Sequence, residues 1–369
     1  MYWTESMTQG VYSSKVLIIS NIISLLIFPF YKALNTFRKK YDLKKIAINK
    51  ILILEYHRIG DVIMILGALR SLKVKYPNSK ITLVCNLEAF QLMKSFNLAD
   101  NLIPISIPWT DWDFTFTKIS KVYSLIKRLK KQNFDLAFSF KGDIRDNWLL
   151  WKVASKISFG YYVTGGGFFL SHPQAFNNNL HQKERAKYLL KKTGCNTLSA
   201  KNKILNNEKG RIVFHNGARD FRRRWPKEKW VKLIKLVSRD HKVGIVKVKE
   251  GEGILKMLRK SKIDLKVFEG DLVDFKIWLE NQKMLICVDS MAGHLSAEIG
   301  VPSITIFGSQ NPKLTAPKGI VSEIIKPRQS CNHKREHWRL CKDCISSIRV
   351  KDVFSKISEV IALIEKCKK

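Results

Sequence analysis

The sequence predicts an α/β protein of two Rossmann-like, doubly wound domains, preceded by an apolar and basic helical extension. Three observations carry this reading. At 369 residues the chain exceeds what one hydrophobic core usually supports. Short apolar runs alternate with segments of helical spacing, in two successive series. Two strand-to-helix turns, in Ile51–Val62 and Leu285–Leu295, lie more than two hundred residues apart. Each puts polar residues where ligands gather in open parallel sheets, so two sheets facing one central cleft are expected.

In the first series, Ile51–Glu55 has the unbroken apolar character of a buried parallel strand. Val62–Lys75 carries apolar residues at helical spacing through Ile65, Leu69 and Leu72. Ile81–Cys85 and Ile103–Ile107 continue the strands, with a short helix over Phe90–Phe96. Lys118–Lys131 is an amphipathic helix leading to the strand Leu136–Phe140. Residues 160–179, rich in Gly and Asn, read as loops. Glu184–Lys192 is helical, and the polar stretch 196–209 is a linker. The second series runs through strands Arg211–Phe214, Val243–Val248, Leu285–Val288 and Ser303–Phe307. Its helices are Pro226–Arg239, Ile254–Lys260, Gly293–Ile299 and a closing amphipathic helix Val350–Lys366. The expected divisions are 1–47, 48–195, 196–209, 210–349 and 350–369.

The extension holds an apolar segment, Val16–Tyr31, shorter than the ~20 residues that span a bilayer comfortably. It lacks the basic n-region and small-residue cleavage site of a secretory signal. Lys32, Arg38, Lys39, Lys40, Lys44, Lys45 and Lys50 follow it. That pairing suits a helix lying on an anionic membrane surface, with the basic flank on the cytoplasmic side. Overall, 66 basic residues against 31 acidic ones leave a formal charge of +35. This excess reflects either an anionic partner or a generally basic, solvated surface. A nucleic-acid partner is not expected, because no basic helix-turn-helix, zinc finger or aromatic RNA-binding strand is present. Seven scattered cysteines do not form a disulfide framework, and Cys85 and Cys287 sit in apolar strand runs, so reduced, cytoplasmic chemistry is expected.

Four groups of residues offer chemistry. Asp61, after Arg58 and Gly60, either caps its helix or presents a carboxylate able to take a proton from a sugar hydroxyl. Asp289, Ser290, Met291, Gly293 and His294 open a helix whose free N–H groups suit a diphosphate, Gly293 permitting close approach. The alternative there is a capping Asp/Ser pair beside a core histidine. Gly217, Arg219 and Arg222–Arg224 form a Gly turn and an arginine run between a strand and a Pro-initiated helix, a phosphate site or a solvated face. Cys331, His333, Cys341 and Cys344 contain a Cys-x2-Cys pair, a weak zinc candidate beside the plainer reading of free thiols.

Together these segments resemble glycosyltransferase family 9, the heptosyltransferases of lipopolysaccharide core assembly. The matching motifs are Gly60-Asp61-Val62 running to Tyr76-Pro77, and Phe134-Asp135-Leu136 running to Lys141-Gly142. They continue with His215 to Pro226, then Asp289 to Leu295 followed by Gly300 to Gly308, all in the family's order. Met291 stands where the family usually has Gly, the glycine being displaced to Gly293. The resemblance implies a GT-B fold and inverting, metal-independent transfer from a nucleotide-activated sugar, typically ADP-heptose. The acceptor would be a lipid-linked core oligosaccharide at the cytoplasmic face of the inner membrane, with no cofactor. It implies Asp61 as base and Gly217, Arg219, Arg223, Asp289 and the Ser290–His294 turn at the donor. Glu250 or Glu252 would hold the ribose, and Arg58, Gly60, Lys141 and Arg145 would meet the acceptor. The alternatives are another sugar donor, a sugar-nucleotide epimerase or a nucleic-acid-binding protein.

Overall fold

The computed structural model describes residues 12, 14–198, 204–205, 207–328 and 341–366. After Leu198 the chain divides into two compact units. In the first, strands β1 (Lys50–Glu55), β2 (Lys80–Asn86), β3 (Asn101–Ile105), β4 (Leu136–Ser139), β5 (Ile157–Tyr161) and β6 (His172–Gln174) form one sheet in the order β3-β2-β1-β4-β5-β6. In the second, β7 (Ile212–His215), β8 (Val243–Val246), β9 (Leu265–Phe268), β10 (Met284–Val288), β11 (Ser303–Ile306) and β12 (Ser322–Ile325) are ordered β12-β11-β10-β7-β8-β9. Every pairing is parallel. Renumbered from its first strand, the second sheet has the same order as the first. This is the doubly wound dinucleotide-fold topology, met twice, and it is the architecture the sequence predicts.

The order fixes where each site forms. In the first unit it reverses between β1 and β4, paired Leu54↔Ser139 at their carboxyl ends. In the second it reverses between β7 and β10, paired Cys287↔His215. Crossovers leave opposite faces of the sheet at these points, so the turns after β1 and β4, and after β7 and β10, border a crevice. Both inner strands are apolar on both faces because helices cover both sides. Ile51–Leu54 of β1 and Met284–Val288 of β10 are accordingly fully buried. In the second unit the closing helix Val350–Lys366 lays Val353, Ile357, Val360 and Ile364 into the core beside helix Lys227–Val237.

Several expectations change. Residues 160–179 are not all loop, since β5 and β6 lie within or beside them. Gly160 is a strand residue whose missing side chain admits Leu170: a Cβ there would lie 3.0 Å from Leu170 Cδ1. The helix expected over Val62–Lys75 is two, Ile59–Met64 and Leu66–Lys75, broken where Ile65 adopts φ −90° and ψ −1°. Helices Ile144–Val153 and Leu272–Glu280 and strands β9 and β12 have no counterpart in the sequence reading. The two strands are short and only partly buried, which weakens the apolar signal. The amino-terminal helix spans Ser14–Thr36, 23 residues against the sixteen-residue apolar run, and is long and apolar enough to cross a bilayer by length and composition. The run underestimated it because the backbone continues as helix through Lys32, Asn35 and Thr36.

Candidate active site

In the first unit, β1 delivers Glu55 and Tyr56, then His57 and Arg58, before the helix Ile59–Met64 begins. Arg58 occupies the N-cap position with no side-chain cap, and Asp61 lies inside the first turn. The Asp61 carboxylate is not a cap. Its Oδ2 lies 2.9 Å from Lys141 Nζ, and Gln182 donates its side-chain amide to Oδ1. Lys141 follows β4, so the pair forms across the reversal of strand order. Burial by itself raises the Asp61 carboxyl, but Lys141, His57 and Gln182 outweigh it and hold the group below its ordinary value. Burial likewise disfavours the Lys141 cation, and Asp61 with Glu55 more than restores it. The site presents a carboxylate ionised at neutral pH, with a cation against one oxygen.

Behind it lies a polar cluster that the sequence reading missed. His57 sits between two buried carboxylates, with Nδ1 3.3 Å from Glu55 Oε1 and Nε2 3.4 Å from Asp146 Oδ2. Burial opposes the imidazolium, but Asp146 and Glu55 raise its pKa above the usual value. Asp146 also accepts hydrogen bonds from Tyr56 Oη and, at 3.1 Å, from Trp109 Nε1. Burial pushes its carboxyl up to about 6. The neighbouring Arg145 is committed to Asp143 through two bonds of 2.8 and 2.6 Å and packs over Trp109 and Trp112. Arg58 donates to the Thr110 carbonyl at 3.2 Å. The sequence signal for the cluster was Glu-Tyr-His ahead of Arg58. Its partner Asp146 sits on helix Ile144–Val153, which the pattern did not reveal.

In the second unit, β7 leads to His215, Asn216 and Gly217, and β10 leads to Asp289 and Ser290. Arg223 Nη1 reaches Asp289 Oδ2 at 3.2 Å. Burial raises the Asp289 carboxyl and Arg223 lowers it, the net shift being upward. Neither Asp289 nor Ser290 caps the helix Met291–Ile299: Ser290 holds the N-cap position without a side-chain bond to it. Ser290 Oγ, Asn216 Oδ1, His215 Nδ1 and Arg223 Nε are buried and lack a hydrogen-bond partner within the described residues. Buried polar atoms are almost always paired, so four without a partner on the turns after β7 and β10 and on the arginine turn suit a polar ligand. His215 is neutral, its pKa lowered by burial to about 4. A neutral imidazole, a hydroxyl, an amide oxygen and a guanidinium beside a helix N-terminus match a phosphorylated, hydroxyl-rich ligand.

The arginine run does not form one cationic face. Arg222 pairs with Asp220 at 2.6 Å, and Arg224 binds Glu250 at 3.0 Å and the Ala218 carbonyl at 2.8 Å. Arg223 alone of these three turns to Asp289. Glu250 and Gly217 thus stand beside the arginine turn, and Arg219 lies on it. His294 is half-buried on the first helical turns with Met291. Gly293 is packed closely: a Cβ there would lie 2.7 Å from Pro317 Cγ and 2.9 Å from Thr305 Oγ1. The helix packs closely on β10 and β11 at this point, where Cys287 Sγ and Thr305 Oγ1 leave no room for a side chain. Of the zinc candidates, Cys331 and His333 lie outside the described residues. Cys341 is half-buried and Cys344 buried, and no group of three metal-ligating side chains occurs among the described residues.

The model of the family described as glycosyltransferase family 9 (heptosyltransferase) matches residues 122–343. The chain belongs to this family. As a family 9 member it is a glycosyltransferase, and the fold agrees. It is 21% identical to lipopolysaccharide heptosyltransferase 1 of Campylobacter coli over 84% of this chain and 98% of that protein. It is 22% identical to lipopolysaccharide heptosyltransferase 1 of Escherichia coli K12 over 78% of this chain and 95% of that one. Among solved structures it superposes on E. coli heptosyltransferase WaaC with ADP at a TM-score of 0.70, with 18% identity over 84% of this chain and 99% of that one. E. coli ADP-heptose lps heptosyltransferase II gives 0.68, with 16% identity over 86% and 99%. The family 9 enzyme thus carries two parallel six-stranded sheets of GT-B type, with polar clusters at both strand-order reversals.

Proposed function

We propose that this chain transfers heptose from ADP-heptose to a lipid-anchored lipopolysaccharide core oligosaccharide, with inversion at the anomeric carbon and without a metal. The observation that carries the reading is Asp61: an ionised carboxylate at the reversal of the first sheet, uncommitted to capping and held by Lys141 and Gln182. In this reading the acceptor hydroxyl oxygen bonds to the anomeric carbon as its proton passes to Asp61. The bond from that carbon to the diphosphate oxygen breaks, and ADP leaves with the electron pair. A single displacement inverts the centre. His57 lies between Glu55 and Asp146, which favour its protonated form against burial, and that form adds positive potential around Asp61.

The second unit supplies the leaving-group site. Arg223 and the N-terminus of helix Met291–Ile299 place positive charge where negative charge develops on the diphosphate, a task that other enzymes give to a cation. Ser290 Oγ and Asn216 Oδ1 are available to phosphate or ribose. Glu250 can accept from a ribose hydroxyl while Arg224 steadies it. Arg58 and Arg145, both near Thr110 and Trp109 on the first unit, are assigned to the anionic acceptor. ADP and an ADP-heptose analogue accompany the WaaC structures, which supports the choice of donor. With that acceptor, the work is assigned to the cytoplasmic face of the inner membrane, an assignment the basic flank of the amino-terminal helix supports.

The test uses purified full-length protein, ADP-, UDP- and GDP-sugars, and extracted core lipid. Transfer from ADP-heptose with inverted product, abolished in Asp61→Asn, is expected. Transfer from another donor would replace the heptose assignment, isomerised donor without acceptor would make the protein an epimerase, and turnover by Asp61→Asn would remove the base.

A further inference from the structure

We propose that the first unit docks on an anionic bilayer as a monotopic module. Helix Ser14–Thr36 lies in the interface plane, and Trp112, Phe114 and Phe116 form a second point of insertion. The inference rests on the membrane-bound acceptor proposed above and specifies how the enzyme reaches it.

The helix is long enough to cross a membrane, but its packing prevents it. Ser24, Phe28, Tyr31 and Asn35 recur at spacings of four, three and four, one stripe of the helix. Ser24 Oγ accepts the Gly166 N–H at 3.0 Å. Asn35 donates to the Phe168 carbonyl at 2.6 Å and accepts from Trp151 Nε1 at 2.8 Å. The Tyr31 ring lies 4.8 Å from Trp151 and 4.7 Å from Phe169, and Phe28 lies 5.6 Å from Phe168. Gly165, at φ +86°, is shaped to this contact, because a Cβ there would come within 2.6 Å of Ser24. The helix is therefore fastened to the protein from Ser24 to Asn35, and Tyr12, just ahead of it, donates its hydroxyl to Asp143 Oδ2 at 3.2 Å. The stretch between these anchors, Ser14–Ile23, extends only about 15 Å, half of a hydrocarbon core of about 30 Å.

The opposite face is largely exposed among the described residues. Ile19, Ile22, Leu25, Leu26 and Phe30 are exposed by half to nearly three-quarters, and no acidic residue occurs between Ser6 and Tyr41. Lys32, Lys39, Lys40, Lys44 and Lys45 are exposed beside it. An apolar band flanked by five exposed lysines, with Asp42 the one acidic residue among them, complements an anionic lipid surface rather than a protein of mixed charge. On the same unit, Trp112 is 70% exposed with a left-handed backbone (φ +56°), and Phe116 is 84% exposed. Helix Ile144–Val153 connects the two patches along one face. Arg145 packs on Trp112, Trp148 on Tyr123, and Trp151 on Tyr31, at successive spacings of three. Six residues of helix separate the first and last by about 9 Å, so both patches border one surface.

Flotation of full-length protein with sealed phosphatidylcholine vesicles, with and without phosphatidylglycerol, tests this. Binding that requires the anionic lipid is expected, with an affinity loss of about tenfold for Phe114→Ser/Phe116→Ser, two exposed aromatics being removed from lipid. A Lys15→Cys protein bound to the outside of vesicles should react with an impermeant maleimide beyond the wild-type background. Protection of that thiol until detergent is added would show a crossing helix and overturn the in-plane geometry. Unchanged affinity of the Phe114/Phe116 variant, folded by circular dichroism, would remove the second insertion point. Sugar transfer to a delipidated acceptor, run on the same samples, keeps the readings apart. Transfer without vesicle binding sinks the membrane module alone, and vesicle binding without transfer sinks the activity alone.

Discussion

Replacing Asp61 by Asn separates a catalytic carboxylate from a structural one, because the structure sets a different magnitude for each role. Asn keeps the size of the side chain and an oxygen for Gln182, but it removes the charge opposite Lys141. Deleting one member of a buried ion pair costs ~3–5 kcal/mol. Here both side chains are 16% exposed, so solvent should reduce the loss to about 2 kcal/mol. The loss should appear as a lower denaturation midpoint at unchanged slope. A general base contributes about 10²–10⁴ in rate, so kcat for transfer should fall by that factor while donor KM stays within a few-fold. The double variant Asp61→Asn/Lys141→Met relieves the stranded ammonium. It should recover most of the stability and none of the rate. Single-turnover transfer and urea unfolding on the three proteins decide the matter. A single variant retaining kcat within about threefold, or a double variant regaining activity with stability, would refute the assignment of Asp61 as base.

Three other outcomes follow from the second unit. Ser290→Ala should leave stability nearly unchanged, since the hydroxyl has no partner among the described residues, yet weaken ADP binding about tenfold by calorimetry. Gly293→Ala should cost about 1–3 kcal/mol in urea unfolding, because its Cβ would meet Pro317 and Thr305 at under 3.0 Å. His215, neutral in the fold with its pKa at about 4, binds fewer protons folded than unfolded between that value and its ordinary 6.5. Its contribution is complete above pH 6.5 and is lost as pH falls towards 4, in total about 3 kcal/mol. His215→Asn should flatten the fall in stability between pH 7 and 5 relative to wild type.

Periodicity alone revealed the two parallel sheets, because central strands such as β1 and β10 are apolar on both faces and end at Gly- and Asp-rich turns. It did not reveal β9 and β12, whose partial burial leaves no continuous apolar run. Asp61, Arg223 and Asp289 were legible as residues at turns. Whether they cap helices was not, since capping depends on where a carboxylate points once the strands are ordered. That order brings Lys141 to Asp61 and Arg223 to Asp289, partners far apart in sequence. His57, Asp146 and Gln182 escaped notice for the same reason: each is ordinary in its own segment and acquires a role only across the sheet. The amino-terminal helix shows both sides. Its apolar character and basic flank follow from composition, but only packing through Ser24, Tyr31 and Asn35 decided which of its faces the protein covers and which stays exposed.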